Sequence, residues 1–429
     1  MNITSLRQVV EYQLCCGCGL CAALCPEALR MVDVPEYGRR PEFLADTVPE
    51  GILALCPGAG LVHTAEVRQQ PGRIASLVDH WGPVLGVWEG HAADPEIRFQ
   101  GSSGGALTAL ALFCLERQGM HGVLHTAVDE QEPYLNRTTM SRNRADLLAA
   151  AGSRYSPASP CERLLDVEQA PAPCVFIGKP CDVAAVQNAR RQNPALDARL
   201  GLTMACFCAG TPSTRGTLEM LHRMGVDRPE QLKALRYRGQ GWPGKTVAVY
   251  EGNGESMSAA FTYEQSWGGI LQKYRQWRCY ICPDHTGEFA DIASGDPWYQ
   301  SIEEEEEGQS LLLARTEHGR QIIEQAISAG YLIAKQVDSA MLPASQPNLL
   351  KTRARLWGQL LALRLFRAPC PSYQGFPLFT AWWGCLNARE KFLSFAGTIK
   401  RIYAKRVKNR HPMSDMRPAD AGDRRGRSN

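Results

Sequence analysis

The chain has 429 residues, 44% hydrophobic and 21% charged, with a formal net charge of +3. This is the balance of an ordinary globular protein long enough for two or three domains. It excludes a chain kept disordered by charge, and so small an excess gives no basis for a nucleic-acid partner. No apolar run approaches the ~20 residues of a membrane span. Met1 to Leu14 shows neither the apolar core nor the cleavage site of a signal peptide. The sixteen cysteines are therefore expected in a reducing, cytoplasmic setting, as metal ligands, redox groups or buried small hydrophobes.

In chain order, the first signal is Cys15-Cys16-Gly17-Cys18-Gly19-Leu20-Cys21-Ala22-Ala23-Leu24-Cys25-Pro26. Cysteines separated by two, two and three residues, the last before a proline, have the ligand spacing of a bacterial ferredoxin. In a two-cluster ferredoxin each motif borrows its fourth ligand from the cysteine-proline pair ending the other motif. Here the second half keeps only Cys56-Pro57. The expectation is one 4Fe-4S cluster on Cys15, Cys18, Cys21 and Cys56, with Cys16 and Cys25 spare. A rival assignment puts Cys25 in place of Cys56. Zinc is disfavoured because no second knuckle follows within twenty residues.

A polar connector (67–73) separates this module from an α/β pattern. A strand over 85–92 precedes Gly101-Ser102-Ser103-Gly104-Gly105, a small-residue loop opening an apolar helix. Such a loop suits either a phosphate or an ordinary serine-capped helix start. Strands follow at 122–128, 174–178 and 200–208, the last two each leading into a helix. This alternation predicts a largely parallel sheet with its chemistry at the strand carboxyl ends, where Cys181 and Cys208 fall. Cys279-x2-Cys282 then opens a block with four acids in eighteen positions; by itself it reads equally as a redox dithiol, half a zinc site or half a cluster site. Glu303 to Glu307 reads as a solvated loop, Leu311 to Arg315 as a strand and His318 to Ala329 as an amphipathic helix. From Lys351 the chain turns helical and basic, with twelve Lys and Arg against four Asp and Glu between Arg389 and Asn429. Trp382, Trp383, Phe392 and Phe395 precede this charge. The segment suits either an anionic membrane surface at the inner face or packing on the core, and the last twenty residues read as disordered.

Together these motifs resemble the family of coenzyme F-420-reducing hydrogenase and formate dehydrogenase beta subunits, with 7-hydroxymethyl chlorophyll a reductase and divinyl chlorophyllide reductases as relatives. The resemblance is carried by Cys15 to Pro26, Ser103-Gly104-Gly105, Gly152 to Tyr155, Ile177-Gly178-Lys179-Pro180-Cys181, Phe207-Cys208-Ala209-Gly210, and Cys279-x2-Cys282-x-Asp284 through Ala290-Asp291-Ile292 and Gly295. Arg236 to Gly244 and Gly295-Asp296-Pro297-Trp298 look like a bacterial branch of undefined substrate.

The resemblance implies FAD beside the Ser103-Gly104-Gly105 loop and Tyr155. It also implies a second 4Fe-4S cluster on Cys181, Cys208, Cys279 and Cys282, with Cys206 competing for the second place. Under this reading Asp284, His285 and Glu288 are proton-donor candidates, and Lys179 or Arg238 holds the FAD pyrophosphate or an anionic substrate. The expected architecture is a ferredoxin-like module (1–65), an FAD-binding α/β domain with a mixed, largely parallel sheet (66–340) and a helical basic extension (341–429). The expected function is an iron-sulfur flavoprotein oxidoreductase. It takes electrons from ferredoxin or another one-electron donor and delivers hydride to a small-molecule substrate. Two alternatives stand beside it: an electron-transfer beta subunit serving a hydrogenase or dehydrogenase partner, and a zinc-stabilised binding module.

Overall fold

The computed structural model describes residues 1–252, 254–299 and 307–413. Glu303 to Glu306 and the tail beyond Met413, expected to be disordered, lie outside them. At the start, β1 (Leu29–Val34) and β2 (Gly38–Phe43) form an antiparallel hairpin. Gly38 closes its turn at φ +82, where any Cβ would strike Gln276 and Pro157. β3 (Gly60–Val62) pairs in parallel with β15 (Ser372–Gln374) from the far end of the chain.

The central sheet uses β4 (Gly86–Ala92), β5 (Val123–Val128), β6 (Asn136–Ser141), β7 (Cys174–Gly178), β8 (Leu200–Cys206), β12 (Ile292–Gly295), β13 (Ser310–Ala314) and β14 (Leu332–Gln336), in the order β14-β4-β13-β12-β8-β7-β5-β6. β12, β8, β7 and β5 are paired in parallel, and β13, β4, β14 and β6 add antiparallel ladders outside them. β7 and β8 are buried on both faces and read as nearly continuous apolar runs, as a covered parallel block requires. A separate meander of β9 (Leu232–Arg236), β10 (Thr246–Gly252) and β11 (Glu255–Phe261) stands beside it. The sheet is thus mixed, with a parallel centre as expected.

The cysteine-rich start does not keep its apolar surface to itself. Leu20, Ala23 and Leu55 share a core with Val183, Val186 and Leu313. Val9, Val10 and Leu14 pack with Trp277, Leu356 and Leu360. The first sixty residues are therefore clamped between the sheet domain and the helices Pro347–Ala354 and Leu356–Leu365. The last long helix, Ala388–Ala404, is capped by Asn387 and Glu390. It buries Ser394, Thr398 and Ile402 while Phe392 and Tyr403 are about two thirds exposed. No helix among the described residues is long and apolar enough to cross a membrane.

Candidate functional site

The carboxyl ends of β4, β7, β8 and β12 converge on one cleft of about 330 Å3, the position at which open α/β sheets take their ligands. Its floor is made of turns: Gly101 to Gly105 after β4 and the short helix Pro95–Gln100, Gly178-Lys179 after β7, Cys206 to Thr211 after β8, and Gly295-Asp296 after β12. Gly105 adopts φ +70 and a Cβ there would meet the Ile97 carbonyl, so only glycine lets the loop turn directly into helix Ala106–Arg117. The amides opening that helix have no side-chain cap, which suits an anion better than a closed helix start.

The loop is fastened from three sides. Ser103 Oγ donates to Asp296 at 2.8 Å, the Gly104 amide donates to Ser310 Oγ at 2.9 Å, and the Arg238 guanidinium reaches the Ser102 carbonyl. Arg238 also grips both Asp296 oxygens, at 2.8 and 2.9 Å, and donates to the Pro243 carbonyl at 2.7 Å. Burial works to raise Asp296, but Arg238 outweighs it and holds the carboxyl below its ordinary range. Arg238 thus lies at the cleft, as expected, with its donors committed to the fold. Lys179 is different. Its ammonium has one bond, to Asp182 Oδ2 at 2.6 Å. Burial disfavours the charge, yet Asp182 and the thiols of Cys181 and Cys208 more than restore it.

Tyr155 stands against Trp267 and Tyr237, with ring centroids 4.9 and 5.9 Å apart. Tyr263 stacks on Trp298 at 5.3 Å, and Arg238 lies over both rings. Tyr263, Trp267 and Trp298 line the cleft; Tyr263 and Trp267 were not singled out in sequence, and Trp298 only as part of the Gly295 to Trp298 element. Their signal was the aromatic spacing around the Asp296-Pro297-Trp298 element, which has meaning only once the meander is folded against it.

Behind the cleft, Cys181, Cys208, Cys279 and Cys282 line a second, small cavity together with Cys16, Arg278 and His285. The four cysteines arrive on three segments. Cys181 sits in the first turn of helix Pro180–Arg190, Cys208 just beyond β8, and Cys279 in the single turn Trp277–Tyr280, with Cys282 next to it. Reciprocal bonds tie the segments: Cys208 N to His285 O, and His285 Nδ1 to Cys208 O, both 2.9 Å. Gly210, at φ +119, lets the loop approach Cys279 so closely that a Cβ would lie 3.1 Å from the Cys279 Cβ. Cys206 points elsewhere. It is exposed and lines the larger cleft. Burial pushes the Cys282 thiol up to about 12, so a metal binding here must displace protons. His285 Nε2 is buried with no partner, a free polar atom on the wall of the cysteine cavity.

The N-terminal cysteines form a second set. Cys21 is within electrostatic reach of Cys15, Cys18 and Cys56, and Cys56, pushed up to about 12 by burial, is within reach of Cys15 and Cys18. Cys25 instead packs among Ala22, Leu29 and Ile52 and feels only Glu27. An unforeseen thiol, Cys161, is buried beside Cys18: its amide donates to the Cys18 carbonyl at 2.9 Å and its thiol to the Asp182 carbonyl at 3.5 Å. Among the described residues no His, Cys, Asp and Glu side chains are grouped tightly enough for a single metal ion. Four cysteine thiols are the donor set of a 4Fe-4S cluster and also of a structural zinc site. The donor sets suit iron-sulfur clusters.

None of the three proton-donor candidates lines the larger cleft. Asp284 is buried, and its carboxylate accepts the amides of Thr286, Gly287 and Glu288 at 3.0, 2.8 and 2.9 Å, shaping the turn after Cys282. Glu288 is buried between His63 Nε2, at 2.9 Å, and Arg353. His285 faces the cysteine cavity, as above.

The fold is a mixed α/β sheet with a cleft at its strand ends and a cavity lined by four cysteines beside it. The sequence matches the family described as coenzyme F420 hydrogenase/dehydrogenase, beta subunit, through its N-terminal part over residues 87–166 and its C-terminal part over residues 173–340. The chain belongs to that family. It is 26% identical over 253 residues to the coenzyme F420 hydrogenase subunit beta of Methanococcus voltae, covering 58% of this chain and 82% of that one. It is 26% identical over 278 residues to the F420-dependent formate dehydrogenase 1 subunit beta of Methanococcus maripaludis, covering 63% and 65%. With the coenzyme F420-dependent sulfite reductase of Methanocaldococcus jannaschii the identity is 20%, over 74% of this chain and 46% of that protein. A chain in the solved F420-reducing [NiFe] hydrogenase complex of Methanosarcina barkeri has the same fold, with a TM-score of 0.52, 19% identity, and coverage of 67% of this chain and 94% of that one.

Proposed function

We propose that the chain is an electron-transfer subunit carrying two 4Fe-4S clusters and an FAD, which works with an oxidoreductase partner. Cys15, Cys18, Cys21 and Cys56 would hold one cluster, and Cys181, Cys208, Cys279 and Cys282 the other. The single observation carrying this reading is that the last four line one cavity and that Cys208 belongs both to it and to the wall of the larger cleft. A cluster moves one electron at a time and a flavin converts single electrons to pairs. The cleft supports FAD through its small-residue loop, the uncapped amides of helix Ala106–Arg117 and the Lys179 ammonium, while Arg238 secures the loop instead of the pyrophosphate. The relatives named as beta subunits support a partner-dependent role over an independent reductase.

The aromatic wall of Tyr155, Tyr263, Trp267 and Trp298 favours a second reading, in which a small molecule enters the cleft and takes hydride from the flavin, with ferredoxin as the donor. Anaerobic purification with iron, sulfide and flavin counting tests the cofactor assignment: about eight irons and one FAD are expected for two clusters of ferredoxin type. Zinc without flavin would end it. Turnover of a small molecule by the isolated, loaded chain would favour the second reading over the first. The exposed Trp383, Phe392 and Tyr403 with the basic helix around them support the peripheral membrane contact, which co-sedimentation with anionic vesicles tests.

A further inference from the structure

Cys16 and Arg278 stand between the two cysteine sets. Cys15 and Cys16 are neighbours in a stretch without helix, and of the two it is Cys16 that lines the cavity of the second set. Cys15 is within electrostatic reach of Cys18, Cys21 and Cys56, while Cys16 lines the other cavity together with Cys181. Cys16 is still within electrostatic reach of Cys18 and Cys56.

Arg278 is only 2% exposed. One Nη donates to the carbonyl of Pro57, at 3.0 Å, and the other to that of Ile281, at 3.4 Å. Pro57 directly follows Cys56 and Ile281 directly precedes Cys282, so the guanidinium is pinned to the backbone beside one cysteine of each set. It lies 5.4 Å from the ring centre of Tyr373. The ionisable groups that act on it most are Tyr373, Cys16, Cys282 and Cys181, and it is also within electrostatic reach of Cys15. Its Nε has no partner. A positive charge buried this deeply is costly unless negative charge faces it, and thiolate sets on both sides would supply that charge.

We propose that Arg278 is a positioning residue shared by both cysteine sets, its charge favouring the reduced, more negative state of the cluster each set holds, with Cys16 forming the wall between them. The inference rests on the two-cluster reading above. A shared arginine ties the two potentials together, so that a change at one residue moves both ends of the relay in the same direction.

The test is a redox titration of the full chain, purified anaerobically with its iron counted and followed by EPR. Arg278→Gln is expected to weaken reduction of both clusters about tenfold, or about 59 mV for a one-electron couple, and Arg278→Lys to stay near wild type. Arg40→Gln removes a buried charge that acts on Cys15 and is expected to move one cluster alone. A shift at one cluster only, or at neither, in Arg278→Gln protein with wild-type iron overturns the inference. If that variant loses iron, the wild-type spectrum decides. Two reduced clusters flanking Cys16 are expected to broaden each other's signals, and two independent signals overturn the proposal. Four irons in wild-type protein would instead remove the two-cluster reading itself.

Discussion

Arg238 and Asp296 lie 58 residues apart in the chain and meet in a two-pronged ion pair at 2.8 and 2.9 Å. Their side chains are 3% and 14% exposed. Through Ser102, Ser103 and Trp242, whose Nε1 donates to Asp296 at 2.8 Å, the pair joins the small-residue loop, the end of β12 and the turn beyond β9. It is the clasp of the cleft. A buried pair is costly to break from one side, because the remaining charge has no partner.

Asp296→Ala is therefore expected to destabilise the chain by about 3–5 kcal/mol and to release bound flavin. Denaturant midpoints and flavin fluorescence measure the two effects. The double variant Arg238→Met, Asp296→Leu should recover part of the stability and none of the flavin affinity, since the loop loses its fastening either way. Equal losses of stability in the single and double variants would contradict the clasp.

The alternative ligands separate by iron content. Cys25 packs among apolar side chains and Cys206 opens into the cleft, so Cys25→Ala and Cys206→Ala should keep all their iron. Cys56→Ala and Cys208→Ala should each lose one cluster, about four irons by ferredoxin-type stoichiometry. Retention of eight irons by Cys56→Ala would return Cys25 to the ligand set.

Asp284 offers a different contrast. Three amides depend on its carboxylate, and buried donors left without acceptors cost about 1–3 kcal/mol each. Asp284→Ala should lower stability by about 3 kcal/mol or more on that basis. Any activity of the folded remainder should keep its pH profile. A lost limb in that profile would make Asp284 a proton donor after all.

Acid should loosen the fold through His125. It is buried, bonded to Ser141 Oγ at 2.7 Å, and burial lowers it from about 6.5 to about 4. Between those values the unfolded chain takes up a proton that the folded chain refuses, so stability falls as pH drops from about 6.5 to about 4. The loss is about 3 kcal/mol at about 1.36 kcal/mol per pKa unit. Unfolding midpoints of wild type and His125→Asn across this range measure it; the variant should show a shallower slope, and parallel slopes would remove His125 as the cause.

How much of this was legible in the sequence follows from the range over which each feature is decided. β7 is predicted and found over Cys174–Gly178, and β4, β5, β8 and β13 within two residues of expectation. β7 and β13 are apolar runs that burial on both faces enforces locally, and β4, β5 and β8 are mostly apolar. β12, with four residues, and the exposed β11 carry no such pattern and went unpredicted. The first cysteine run speaks for itself because neighbouring residues and two positive-φ glycines, Gly17 and Gly19, set its geometry. The Cys56-Pro57 pair already favoured Cys56 over Cys25 as its partner in the sequence, and the iron content of the variants decides between them.

The second set has no spacing rule. Cys181 and Cys208 meet because β7 and β8 lie side by side and present their carboxyl ends to one edge, and the paired Cys208 to His285 bonds bring in the segment carrying Cys279 and Cys282; in the sequence only family resemblance linked them. Side-chain roles were the least readable. The sequence supplied acids at 284 and 288 and arginines at 238 and 278. What each charge faces depends on partners brought from elsewhere in the chain, and only the tertiary structure sends Asp284 to the backbone, Glu288 to His63, Arg238 to Asp296 and Arg278 between the two cysteine sets.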